Sequence, residues 1–129
     1  MIQIGSKLNV IDNSGIKVVR CININSNKKT ADIGNFILVT LHKYINILKS
    51  KKRVFYLGLI INVKFWVLRI DGIVLKYFCN NILIFNKNFK LLGSRVLGII
   101  SKEIKFKIYK NMQYFKIFQK VISYSSFIV

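Results

Sequence analysis

Residues 8–20 read LNVIDNSGIKVVR, and the fold is decided there. Two apolar-rich runs, 8–11 and 16–21, flank a polar turn made of Asp12, Asn13, Ser14 and Gly15. Asn and Asp fold their own backbone into turns, and Gly accepts positive φ without steric cost. The local expectation is strand, tight turn, strand. Toward the N-terminus, residues 2–4 join 7–11 in a first strand region. Toward the C-terminus, residues 16–24 form the second, with Ile16, Val18, Ile22 and Ile24 at period two and Arg20 interrupting that face.

Further along, residues 23–30 form a polar loop containing Lys28 and Lys29, and 32–35 turn around Gly34. Residues 36–41 are a buried-type strand. Residues 42–53, HKYINILKSKKR, end in Lys49, Lys51, Lys52 and Arg53. Such a run is either a solvated loop or a set of phosphate contacts. A long strand-like run follows over 54–67, with a break or bulge expected at Gly58. Asp71 and Gly72 signal a hairpin between 66–69 and 73–78. Asparagines bracket a short strand at 82–85, and 92–100 holds Gly93 and Gly98. After Ser101 the period changes. Ile104, Ile108, Met112, Phe115, Phe118 and Ile122 recur every three or four residues, which predicts helix. Ser101 is the expected N-cap, Glu103 suits the helix dipole, and Asn111 is a point of division into two short helices. Lys105, Lys107, Lys110, Lys116 and Lys120 lie off the apolar stripe. The residues alone thus predict a small β-barrel or β-meander closed by C-terminal helix from about 101, in one domain spanning 1–129.

Charge narrows the function. The chain has 22 Lys+Arg against 4 Asp+Glu, a formal net charge of +18. A free domain so charged repels itself, so its natural partner is a polyanion. Nucleic acid is the first candidate and an anionic membrane surface the second. The same count argues against an enzyme. Four carboxylates and one histidine leave little for paired-carboxylate catalysis, a His-centred triad or an oxygen-ligand metal site. No cofactor and no metal are expected. Cys21 and Cys79 form no C-x-x-C pattern. They read either as two reduced thiols in the core or as a single disulfide.

Proline is absent, and Ile, Asn, Lys, Phe and Tyr are abundant. This composition fits an AT-rich gene, in an organelle or a reduced bacterial genome. Mean hydropathy is high at +0.41. Yet no uncharged apolar run approaches the ~18–20 residues of a membrane span, so no membrane insertion is expected. Strand-like sequence begins almost at Met1, so neither a signal nor a transit peptide is expected. An organellar protein of this kind is expected to be made inside the organelle, in the mitochondrion or alternatively the plastid.

The opening stretch carries a family resemblance. MIQ followed by LNVIDNSGIKVVRCI closely resembles the N-terminal signature of the universal large-subunit ribosomal protein L-fourteen family. The resemblance continues in order through Lys28–Lys29, the Ile33–Gly34–Asn35 turn, Lys49–Ser50–Lys51–Lys52, and the Asp71–Gly72 hairpin. LGSRVLG at 92–98 resembles the family's I-G-T-R-I-F-G. Lys102–Glu103–Ile104 resembles the start of its C-terminal helix, and Phe115–Lys116–Ile117 its F-M-K-I. It implies a mainly β fold: a small closed five-stranded β-barrel with a projecting β-ribbon and short C-terminal α-helices. It also implies binding to large-subunit rRNA at the subunit interface and a bridge to small-subunit rRNA. Neighbouring ribosomal proteins and a ribosome-silencing factor are the implied protein partners.

rRNA proteins grip phosphates with cations held on a rigid scaffold. The candidate rRNA-binding residues are Asn13, Ser14, Gly15, Lys17, Arg20, Lys28, Lys29, Lys49, Lys51, Lys52, Arg53, Gly93, Ser94 and Arg95. Asn13 and Ser14 either donate to phosphate or 2′-OH, or serve the turn alone. One segment departs from the family. Residues 63–70 read VKFWVLRI, with Phe65, Trp66, Val67 and Leu68 where polar or basic residues are usual and only Lys64 and Arg69 as cations. Exposed ribbons do not leave such residues uncovered. A protein is therefore expected to cover the ribbon, with base stacking on Phe65 or Trp66 as the alternative. Before LGSR the family's Glu-Pro is replaced by FKL at 89–91. The rival to a ribosomal role is a basic organellar membrane-surface or assembly protein.

Overall fold

A computed structural model describes residues 1–25, 27–45, 54–110 and 114–129, with the backbone alone for 108–110. β1 (Lys7–Val10) passes through the 12–15 turn into β2 (Ile16–Ile24). The two pair antiparallel, with Leu8 opposite Val19. Gly15 takes φ 85°, a value that strains other residues. β3 (Phe36–Tyr44) and β4 (Tyr56–Asn62) continue the antiparallel meander. β5 (Trp66–Leu68) and β6 (Val74–Lys76) then form a separate two-stranded ribbon, turned at Asp71–Gly72. β7 (Asn81–Phe85) pairs antiparallel with β4 and parallel with β1, closing a five-stranded barrel in the order β1-β2-β3-β4-β7. Parity dictates the parallel seam. Five strands alternating in direction leave the first and last pointing the same way. β8 (Val96–Ile100), α1 (Glu103–Lys110), α2 (Phe115–Tyr124) and β9 (Ser125–Ile128) complete the chain. The expected barrel, ribbon and short C-terminal helices are all present.

Several details differ from expectation, each for a local reason. β2 does not keep period two. Ile16, Val19, Cys21 and Ile24 are buried, while Val18 and Ile22 are half-buried. Register shifts at 16/18 and 21/23 are β-bulges that make Lys17 and Ile22 extra residues of β2, and each moves the following β2 side chains to the other face, whereas the shift at 18/19 has its extra residue in β3. Gly58 is not a bulge either. β4 runs straight through it, paired with Ile37 and Ile84, and an added Cβ would collide with Ile82. The long run breaks instead after Asn62. Ser101 is buried and donates to the Glu103 carboxylate, so its hydroxyl serves a side chain rather than the helix backbone. Phe115 is exposed, and the buried stripe of α2 is carried by Phe118 and Val121. The Asn111 division lies outside the described residues. Both cysteines are free, and Cys79 is exposed rather than in the core. Burial pushes the Cys21 thiol above its ordinary value.

β4 and β7 are buried almost throughout, as strands covered on both faces must be. The barrel interior covers one face. Ile104, Phe118 and Val121 from the helices belong to the same apolar core. Phe36 links the layers. Its ring centroid lies 5.6 Å from Phe85, 5.5 Å from Phe89, 5.0 Å from Tyr114 and 6.2 Å from Phe118.

Arg69 ties the ribbon down. Its Nε donates to Glu103 Oε1 at 2.5 Å and its Nη2 to the Val129 carbonyl at 2.7 Å. Both carboxylate and guanidinium are largely shielded, at 20% and 15% exposure. Arg69→Met keeps the aliphatic stem and loses both bonds. It is expected to cost about 1–2 kcal/mol and to speed amide exchange in the ribbon ahead of the barrel. Unchanged ribbon exchange would show that the tie does not hold it.

Candidate nucleic-acid interface

Residues 11–14 run beside residues 93–98. Leu97 N–H donates to the Ile11 carbonyl at 2.7 Å, and Asp12 bridges Val96. The Asn13 side chain clasps the two loops. Its Nδ2 donates to Ser94 Oγ at 2.8 Å, while its Oδ1 accepts from Ser94 N–H at 2.8 Å and Arg95 N–H at 3.1 Å. Gly93 is required by proximity. A Cβ there would stand 2.8 Å from both Asn13 Oδ1 and Asp12 Cβ. Two motifs some eighty positions apart in sequence therefore make one structural unit. It presents Asn13, Ser94 and the Arg95 side chain at the surface.

Beneath the clasp, Asp12 is buried. Its Oδ1 accepts from the Ser14 N–H at 3.0 Å and from the Ser14 hydroxyl, and its Oδ2 from Ile84 N–H at 3.5 Å. Thus the Ser14 hydroxyl is directed inward. Burial pushes the Asp12 carboxyl up from its ordinary 3.8, against the lowering pull of the Ser14 and Ile84 hydrogen bonds. A carboxyl with a raised folded pKa contributes stability that is complete below the unfolded pKa and is lost as pH rises through the folded one. Asp12→Asn, uncharged throughout, is expected to gain on the parent as pH rises from 3.8 through that window, read by denaturant unfolding. A variant that falls further behind with rising pH would show the carboxylate to be net stabilised by its donors.

The other candidates are dispersed. Lys17 and Arg20 are exposed on β2. Lys28 and Lys29 are exposed in the loop before β3. Lys49, Lys51, Lys52 and Arg53 lie outside the described residues. Sequence reading passed over Lys7 and Lys43, which join Arg20 in one electrostatic neighbourhood. It also missed a groove of about 400 Å³ beside Ser94, lined by Lys90, Lys116, Lys120, Phe89 and Tyr124. Its cations come from two distant segments, so no local run signals it.

On the ribbon, Phe65, Trp66 and Leu68 are exposed, at 48%, 60% and 73%. Val67 turns the other way and packs, half-buried, against the core. The Trp66 ring already carries the Lys76 ammonium, 5.0 Å from its centroid. Ile70 and Phe78 are almost fully bare, at 97% and 93%. Among the described residues no helix is long and apolar enough to cross a membrane.

The family model described as Ribosomal protein L14p/L23e matches residues 1–127. The chain belongs to that family. Among curated relatives, it is similar to the large ribosomal subunit protein uL14 of Carsonella ruddii (strain PV). The two are 38% identical over 107 residues, covering 81% of this chain and 88% of that protein. In uL14 terms, the clasp joins the two segments that carried the resemblance, around Asn13 and around Arg95.

Proposed function

We propose that this uL14-family chain is a structural constituent of the large ribosomal subunit that binds large-subunit rRNA at the subunit interface. Under this reading it contributes to a bridge with small-subunit rRNA. One observation carries the reading: the Asn13–Ser94 clasp fixes the backbone of Arg95 and leaves its side chain at the surface of a +18 chain. Phosphate recognition needs such a cation on a rigid mount. Lys17, Arg20, Lys28 and Lys29, with the 49–53 run, supply further phosphate contacts. Phe65, Trp66 and Leu68 are covered by a neighbouring ribosomal protein. The Lys76 ammonium occupies one face of the Trp66 ring and leaves less of it for base stacking, which favours that cover. A ribosome-silencing factor is a further partner. The composition fits an organellar or a reduced bacterial genome, and the location proposed is the mitochondrial matrix, with the plastid as alternative.

Sedimentation decides between this role and the membrane rival. Co-sedimentation with the large subunit, lost at high salt, is expected. Retention in carbonate-washed membranes would favour the rival. Arg95→Gln is expected to weaken rRNA binding and to lower the salt slope by about one. An unchanged slope would remove Arg95 from the interface.

A further inference from the structure

On the outer face of the barrel, Arg20 of the opening motif has cationic neighbours that neither motif includes. Lys7 on β1 pairs across with Arg20 on β2, and Arg20 pairs with Thr40 on β3. Two residues beyond Thr40, the ladder slips. Val19 pairs with Leu41 and Val18 with Lys43, so His42 is the extra residue of a bulge. Bulges re-aim the side chain they carry. Lys7, Arg20, His42 and Lys43 are all exposed. No ion pair joins any of them to a carboxylate among the described residues. A like-charge cluster left uncompensated on a rigid sheet is a ready anion site.

We propose that Lys7, Arg20, His42 and Lys43 form a binding site for one backbone phosphate of rRNA, with His42 as its proton-dependent member. The proposal rests on the rRNA-binding reading above. In the free protein the His42 imidazole is held below its ordinary 6.5, first by desolvation and then by the charges of Lys7, Arg20 and Lys43. A bound phosphate offsets that field with a negative charge beside the ring and favours the imidazolium. By linkage, the phosphate is then held more tightly as pH falls through the His42 midpoint. RNA is favoured over a lipid surface because the face is a sheet of strands whose outward neighbours are Asn9, Val18 and Thr40, and the one apolar side chain among them, Val18, is half-buried between the strands rather than raised to enter a bilayer.

The chain has one histidine, so its ring protons give a single titration by one-dimensional NMR. The midpoint is measured in sodium chloride alone and, at equal ionic strength, with inorganic phosphate, an RNA stem-loop or phosphatidylglycerol vesicles. The stem-loop is expected to raise the midpoint by about one pH unit over chloride. RNA affinity is correspondingly expected to tighten roughly tenfold between about pH 7.5 and 5.5. His42→Gln is expected to bind RNA at the higher pH and to lose that tightening. If RNA binds and the midpoint stays put, the site is elsewhere and only this inference fails. If RNA does not bind at all, the rRNA reading fails with it. A midpoint moved as far by inorganic phosphate, or moved by vesicles and not by RNA, overturns the assignment to rRNA.

Discussion

Gly93→Ala is expected to open the clasp between the 12–15 turn and the 93–98 segment, at a cost of about 2–3 kcal/mol. The new methyl group would stand 2.8 Å from Asn13 Oδ1 and from Asp12 Cβ, and 3.0 Å from Asp12 Cγ. Neither neighbour yields easily. Asp12 is buried and held by Ser14 and Ile84. Asn13 Oδ1 accepts from two backbone N–H groups, and moving it breaks both bonds. For a chain of this size the melting temperature should fall by roughly 8–12 °C. Arg95 then loses its fixed backbone, and rRNA affinity should fall about tenfold. Asn13→Ala alone should cost less, about 1–2 kcal/mol, because water replaces its exposed bonds. The double variant should cost less than the sum, since one contact of the added methyl is gone. Strict additivity, or a Gly93→Ala chain that melts like the parent, would mean that the two loops do not act as a unit.

Phe36→Ala is expected to have the largest effect on stability, about 3–4 kcal/mol. Four aromatic rings contact Phe36, from β7, the 86–90 turn and the start and middle of α2. The turn is itself strained. Phe89 sits at φ 56°, a left-handed value that side chains other than Asn and Asp avoid. The packing of Phe89 against Phe36 and against Tyr114, 5.4 Å away, offsets that strain. Without Phe36, α2 and the turn lose their common support while the β1–β2 pair keeps its own. Amide exchange should therefore rise first in Phe115–Tyr124 and in 86–90. Uniform acceleration across the chain would show that Phe36 supports the barrel as a whole instead. Phe36→Leu should recover more than half of the loss.

The barrel was readable because its strands are punctuated. Asp12–Gly15, Gly34 and Asp71–Gly72 all mark turns, and β4 and β7 are apolar runs of strand length. Facing was less readable. Three bulges in β2–β3 change which side chains point inward, and a bulge leaves no mark in residue type. β9 was missed because SSFI is short and half polar, and it pairs in parallel with a strand reached only across two helices. At the interface, sequence named both halves of the clasp but not their contact. Asn13 bonding Ser94 is a long-range fact that neither loop contains alone. The cations on β1 and β3 escaped because each is single in its own strand. They converge only when the sheet curls.

The parallel seam has a consequence for how the protein is born. Asn9 pairs with Asn81 and Val10 with Ile82 across that seam. As the chain is synthesised, β1 to β4 can assemble in order, each on its predecessor. The result is an open curled sheet with two bare edges, one on β1 and one on β4. Only when Asn81–Phe85 has emerged can a single strand cap both edges at once. Until then the sheet is a template for stray strands and its apolar inner face is uncovered. Five residues thus act as the last stave of the cask.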